Sequence, residues 1–284
     1  MNKFFFLFCY CSVLSVLGQD TLKLTLQEAE KMFVEKNVPL LAQKYNIDAA
    51  RAFSIQAKLW DNPQIYTEWN MYNGSKKQAF DIGNNGQKLI GIQQVILLAG
   101  KRNIRINQAN EIYKQGEFIY LDVLRTLKFE LHRLFYNIHF NLRIVERYDK
   151  QLALLENTIN AFETQYNRNN LSLKELIRLK AAYFQLSNDR TQILSEILDE
   201  EKDIQILLHT TDAFYPVYFE EDLNKYTLEK IEQDRLISLA LENRPDLKIL
   251  DQEIKQQELN YRFQKSLAVP DLRVGFQYDQ QGSY

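Results

Sequence analysis

Apolar positions recur along one stretch of the chain with a regularity that sets the scale for the rest. From Leu127 they fall at Leu131, Leu134, Ile138, Leu142, Val145, Tyr148, Leu152, Leu155, Ile159, Phe162 and Tyr166. Steps of three and four, averaging about 3.5 residues, keep one seam of a helix against a partner. Between Lys101 and Tyr166 there is no proline and a single glycine, Gly116, so the pattern predicts one unbroken helix over 101–166. At 1.5 Å per residue such a helix runs for about 100 Å, far beyond the ordinary globular length of about 10–14 residues. Asn167-Arg168-Asn169-Asn170 then tolerates turn and left-handed conformations, and Ser172 with Glu175 reads as a capped helix start. The returning helix, 173–208, carries two adjacent stripes. One passes through Leu173, Ile177, Phe184, Leu194 and Leu198, the other through Leu176, Leu179, Tyr183, Leu186, Ile193 and Ile197. Two stripes suit a helix packed between neighbours on both sides.

Upstream the period changes. Thr25 and Glu28 form a capping-box pattern that opens a helix over 26–36, and Pro39 sits in the first turn of a second helix over 39–60, which Asp61-Asn62-Pro63 breaks. Ile65, Thr67, Trp69 and Met71 then alternate with Tyr66, Glu68, Asn70 and Tyr72, and Ile90, Ile92 and Ile96 alternate with Gly91 and Gln93. With the polar, glycine-bearing loop Asn73–Gln87 between them, these read as a β-hairpin over 65–98. Strands of this length, about 9–11 residues, suffice to cross a bilayer in a barrel; a soluble hairpin on a small sheet is the other reading. Ala213–Phe219 is a short aromatic, strand-like piece that Pro216 keeps at an edge or outside a sheet.

The chain then repeats itself. Asn37-Val38-Pro39-Leu40 recurs as Asn243-Arg244-Pro245-Asp246-Leu247, with a helix before it (228–243), a helix after it (245–267), a breaking proline (Pro270) and a strand (272–280). In that strand Leu272, Val274, Phe276 and Tyr278 alternate with Arg273, Gly275, Gln277 and Asp279. A repeat of about 206 residues is far too long for a solenoid unit and implies a duplicated half. The first repeat covers 19–227 and the second, 228–284, stops in its first strand, so the sequence reads as a fragment whose second long helix is absent.

Composition narrows this picture. Met1–Gly18, with Lys3 ahead of an apolar run, reads as a signal peptide, and both cysteines, Cys9 and Cys11, lie inside it. An exported chain without further cysteine is stabilised by packing rather than by disulfides. After Gly18 the longest apolar run is only Val95–Ala99, so a membrane crossing requires β-strands. A net charge of −2 gives no electrostatic case for nucleic acid.

Taken in order, Leu24-Thr25-Leu26-Gln27-Glu28-Ala29, the Asn-x-Pro-x-Leu helix start, the strand running into Ala99-Gly100-Lys101-Arg102, and Tyr166–Leu176 resemble the outer-membrane efflux protein family, the TolC-like exit ducts. The Gly-Lys-Arg strand exit is most similar to the heavy-metal and multidrug branch. The family usually has glycine near the hairpin tip, where Asn169 and Asn170 stand here. The resemblance implies a mainly α fold with a small β part: long antiparallel helical hairpins forming an α-barrel, and β-hairpins contributed to a trimeric outer-membrane β-barrel. It implies a homotrimer in outer-membrane lipid that extends into the periplasm, docked on a periplasmic adaptor and an inner-membrane pump, as a passive duct for small molecules or metal ions. Within that frame the adaptor-contact tip is Asn167, Arg168, Asn169, Asn170, Leu171, Ser172, Leu173 and Leu176, unless the segment is only a capped turn, and Glu68, Asn70, Arg273 and Gln277 line the barrel lumen. The alternatives are the adaptor itself and a periplasmic coiled-coil scaffold without channel activity. The adaptor reading lacks β-rich flanks, and the scaffold reading leaves the alternating strands without purpose.

Catalytic and metal chemistry find little support. His132 and His139, near Glu130 and Glu146, lie seven residues apart on one helix, about 10 Å along it, which is too far for one ion. A solvated or lumen-facing pair is expected instead. Asp199, Glu200, Glu201 and Asp203 read as a solvated face, with cation selection in a tunnel as the sharper alternative. No nucleophile–base, P-loop or dinucleotide pattern stands in a suitable context, so no enzyme, cofactor or metal site is expected.

Overall fold

The computed structural model describes residues 21–74, 77–80, 86–218 and 233–281. The signal-peptide reading, the expected helix start at 228–232 and the end of the aromatic piece at Phe219 lie outside the described residues. Contacts divide the chain into two compact units that cut across the sequence repeat. One comprises residues up to Val38 with Thr126–Glu229, the other Pro39–Arg125 with the residues from Lys230 on.

In the first unit, β1 (Thr21–Leu24) leads into α1 (Leu26–Lys36). Thr25 caps the helix with both halves of the capping box in place: Glu28 N donates to Thr25 Oγ1 at 3.3 Å, and Thr25 N donates to Glu28 Oε2 at 2.9 Å. The helix stops at Asn37, which is 1% exposed and donates from Nδ2 to the Leu207 carbonyl at 2.9 Å. The long helix α3 (Lys101–Asn167) is continuous for 67 residues. It turns into α4 (Leu173–Leu208), where the Ser172 hydroxyl accepts from Glu175 N.

The expected seam on α3 faces inward, with Leu131, Leu134 and Ile138 fully buried beside Phe135. Ala29 and Phe33 from α1, Ile204 and Leu208 from α4, and Phe214 complete this core. On α4 only one of the two stripes is covered. Leu176 and Ile197 are buried, whereas Leu173, Ile177, Phe184 and Leu198 are 49–69% exposed. Ion pairs Lys180–Glu163 and Arg190–Asp149, both at 2.6 Å, flank the covered seam.

A parallel pair closes the unit. β6 (Ala213–Pro216) lies against β1 in the register Thr21↔Ala213 to Leu24↔Pro216, and Val217 N donates to the Leu24 carbonyl at 2.8 Å. Pro216 sits at the end of the strand, where its missing N–H costs least.

The second unit holds α2 (Val38–Ala57) from Pro39 on, and the helix ends three residues before the expected Trp60. The reason is a tightened last turn: Lys58 N and Leu59 N donate to Ile55 and Gln56 carbonyls, i to i−3, and residues 60–63 have no regular secondary structure. β2 (Gln64–Trp69) and β5 (Lys88–Ile96) form the expected hairpin, and within the intervening loop β3 (Tyr72–Asn73) pairs with β4 (Gln78–Ala79). The second repeat supplies α5 (Gln233–Asn243), α6 (Pro245–Ser266) and β7 (Leu272–Gln280). β7 joins the hairpin to give a three-stranded antiparallel sheet in the order β2-β5-β7.

The core of the first unit contains one titratable group that dislikes charge. His139 is 8% exposed and packs against the Tyr218 ring with centroids 4.5 Å apart. Burial, aided by Arg143 and opposed by Glu146, depresses its pKa below the ordinary histidine value. The unfolded chain therefore takes up a proton below about pH 6.5 that the folded chain resists, so stability falls as pH drops through that value. We expect the thermal midpoint of His139→Phe to fall less than that of the parent between pH 7.5 and 5.5, by about 2 °C. Equal slopes in the two proteins would show that the histidine is not the group responsible.

Candidate membrane-facing sheet and hairpin tip

Because strand residues alternate between faces, the register of the three-stranded sheet decides what each face presents. Tyr66, Gly91 and Gln277 are aligned across it, as are Thr67, Ile90 and Tyr278. One, mainly apolar, face therefore carries Ile65, Trp69, Ile90, Ile92, Val274, Phe276 and Tyr278 with Lys88, Gln94 and Gln280, and the other, mainly polar, carries Tyr66, Glu68, Gln93, Arg273 and Gln277 with Leu89 and Val95. The apolar face is uncovered: even Ile92, on the central strand, is 46% exposed, and Phe276 is 79% exposed. A contiguous apolar surface of this kind marks a lipid or protein interface rather than a soluble exterior. Both outer edges, of β2 and β7, are without a partner strand among the described residues.

The polar face is tied together by side chains. The Tyr66 ring lies over Gly91, where a Cβ would come within 2.4 Å of Cζ, and its hydroxyl donates to Gln277 Oε1 at 2.9 Å. Gln93 Nε2 donates to Gln64 Oε1 at 2.9 Å. Among the residues expected to line a lumen, Glu68, Arg273 and Gln277 share this face. Asn70 does not continue the alternation. It follows the end of β2, and its Oδ1 accepts from Tyr72 N at 3.2 Å, so its side chain serves the turn.

The strand exit shows what Ala99-Gly100-Lys101-Arg102 does. Ala99 and Gly100 both take left-handed backbone conformations, φ 54° and 71°, which turn β5 into α3. Lys101 is 2% exposed; its ammonium donates to Asp271 Oδ1 at 2.7 Å and to the Val269 carbonyl at 2.6 Å. Asp271 Oδ1 also accepts from Leu98 N at 3.2 Å. The hydrogen bond from Lys101 is the main cause holding the Asp271 carboxyl below its ordinary range. Arg102 donates to the Lys58 carbonyl past the end of α2 and lies over the Trp60 ring at 4.5 Å. Two adjacent cations thus fasten the start of β7 and the end of α2 to the start of α3. The sequence pointed to this motif only as a resemblance, since spacing says nothing of a partner 170 residues away.

At the far end of α3, Asn169 takes a left-handed conformation, φ 61°, the role a glycine would otherwise fill. Asn167, Arg168, Asn169, Asn170, Ser172 and Leu173 are exposed and Leu171 is half-buried. Leu176 departs from the set: at 6% exposure it is buried.

Two sequence expectations are corrected. His132 and His139 are not a solvated pair, because His139 is buried and His132 Nε2 bonds Glu30 Oε1, while Lys128 Nζ reaches Glu30 Oε2 at 2.9 Å. Burial works against the Glu30 charge, but those hydrogen bonds outweigh it and lower its pKa. Nor is the acidic run simply solvated: Glu200 accepts from Asn137 Nδ2 at 2.8 Å, and Glu201 Oε1 accepts from Phe214 N at 2.7 Å, seating β6. No cluster of metal-ligating side chains occurs among the described residues, and no described helix is long and apolar enough to cross a membrane.

This arrangement is the fold of the TolC-like outer-membrane channels. The chain superposes on CusC, described as forming a transmembrane channel, with a TM-score of 0.71 at 12% identity over 92% of its length. It matches the outer-membrane channel OprN at 0.70 and 11% identity, and the Campylobacter jejuni CmeC outer membrane channel at 0.68 and 12% identity, each over 89% of its length. It spans 66%, 59% and 56% of those three chains, less than two thirds of each. No protein-family model and no curated protein matches the sequence.

The ion pair between buried Lys101 and the more exposed Asp271 should decide whether β7 stays seated. In Lys101→Met, we expect β7 amides to exchange with solvent at least about tenfold faster, with β2 less affected and Lys101→Arg intermediate. Unchanged protection of β7 in Lys101→Met, followed by hydrogen-exchange mass spectrometry in detergent, would show that strand pairing alone holds it.

Proposed function

We propose that this chain is the outer-membrane channel component of an efflux system, a passive exit duct. The observation that carries the reading is the β2-β5-β7 sheet, with one uncovered apolar face and one polar face, on a fold shared with outer-membrane channels. In a barrel the apolar faces meet lipid and the polar faces line a wet lumen, which assigns Glu68, Arg273 and Gln277 to the lumen wall. The open strand edges and the uncovered stripe on α4 are satisfied by copies of the same chain, and a homotrimer is the assembly we favour. Small molecules or metal ions handed over by an inner-membrane pump are its cargo.

In this reading the tip formed by Asn167, Arg168, Asn169, Asn170, Leu171, Ser172 and Leu173 meets a periplasmic adaptor. Its exposure and its position at the end of a helix of about 100 Å support that role.

Two outcomes test the proposal. The purified protein is expected to require detergent, to migrate as a trimer, and to give discrete conductance steps in planar bilayers; a detergent-free monomer that leaves bilayers silent would contradict it. In cells that depend on this channel, Leu173→Glu is expected to reduce efflux of a fluorescent substrate by about tenfold at unchanged protein abundance. Undiminished efflux would remove the tip from the adaptor interface.

A further inference from the structure

A cavity of about 650 Å³ opens where the sheet meets the helices, walled by α2, the start of α3 and α6. Val95 is in its lining and pairs with Arg273, so the cavity opens on the polar side of the sheet, away from Ile92 and Phe276. Its walls combine two features. Phe53, Trp60, Ile112 and Phe263 supply apolar surface, and Arg102 and Arg105 supply two guanidinium groups. Both guanidiniums lie over aromatic rings: Arg102 over Trp60 at 4.5 Å, and Arg105 over Phe263 at 5.5 Å. A guanidinium over a ring keeps N–H donors for a carboxylate, sulfonate or phosphate.

Neither arginine has a carboxylate partner among the described residues. Arg102 donates to the Lys58 carbonyl while its Nε is buried without a hydrogen bond; Arg105 makes its ring contact and acts on Asp271 only through its charge, without an ion pair. Asp61 is in the same lining but pairs with neither, so the cavity carries surplus positive charge. A volume of about 650 Å³, lined by apolar and polar side chains in roughly equal number with the amides Gln56, Gln108, Gln256, Gln257 and Asn260 among them, is within the range of a small-molecule site.

The geometry points to a binding site for amphipathic organic anions, with Arg105 and Arg102 on the charged head and the aromatic walls on the body. The assignment deepens the duct reading, on which it rests for the identity of the ligand as cargo: the polar side of the sheet is then the lumen, and the cavity is a station in its wall. A bare inorganic anion would use the arginines but leave Phe53 and Ile112 without a function.

The test compares three probes on the full chain in detergent, with empty micelles subtracted: 1-naphthalenesulfonate, 1-naphthylmethylammonium and inorganic phosphate. The sulfonate is expected to bind at least about tenfold more tightly than the ammonium compound of like shape. Arg105→Gln, at an exposed position that makes no hydrogen bond, is expected to erase most of that difference without moving the thermal midpoint. Phosphate at equal concentration is expected not to displace the sulfonate. Equal binding of the two naphthalenes, or a preference that survives Arg105→Gln, would overturn the site; full displacement by phosphate would overturn the amphipathic class. Discrimination without bilayer conductance would count against the duct alone, and conductance without discrimination would count against this site alone.

Discussion

A buried ammonium holds the β part of this molecule to its helices. Lys101 reaches Asp271 and the Val269 carbonyl from a position 2% exposed to solvent. Removing a charge from water is costly unless its partner and further hydrogen bonds compensate, and here two oxygens do so. The same carboxylate takes the Leu98 amide, so the exit of β5 and the approach to β7 are fixed by one side chain. Arg102, one residue on, does the equivalent for the end of α2. Strand order β2-β5-β7 brings together residues from both sequence repeats, and no loop connects β5 to β7. Long-range polar anchoring at the helix start therefore supplies what a hairpin turn cannot.

A second constraint is apolar surface left in the open. The first unit buries a compact core around Phe33, Leu131, Phe135 and Leu208, yet the outer stripe of α4 and the outer face of the sheet remain uncovered. The proposed function covers them with two environments: a protein neighbour for the helix stripe, whose spacing is helical, and lipid for the sheet, whose opposite face is mainly polar. The proposed assembly provides both. It also gives a purpose to the polar face, which a soluble hairpin would not need to organise around Tyr66, Gly91 and Gln277.

Most of the local structure was legible in the sequence because local chemistry determines it. Thr25 and Ser172 cap helices where their patterns say they should, and the seam from Leu127 to Ile159 predicts the inward face of α3. Strict alternation in Leu272–Tyr278 predicts β7. What could not be read depends on distant pairing. Thr21–Leu24 is too short to announce itself as a strand until Ala213–Pro216 lies beside it. His139 and Glu201 look like solvent-facing residues from their type, and only the Tyr218 ring and the Phe214 amide reveal their structural roles. Asn70 fits the alternation on paper, but its side chain is captured by the turn that follows. Of the two arginines of the junction cavity only Arg102 was visible, as part of a motif, because the aromatic partners come from Trp60, past the end of α2, and Phe263 on α6.

The central claim is that the face bearing Trp69 meets lipid. The sequence has two tryptophans, Trp60 and Trp69, so a Trp60→Phe protein reports on Trp69 alone. Its fluorescence in vesicles of lipids brominated along the acyl chain should be strongly quenched, and aqueous iodide should have little effect. Strong iodide quenching with none from the brominated chains would place Trp69 in water and contradict the account.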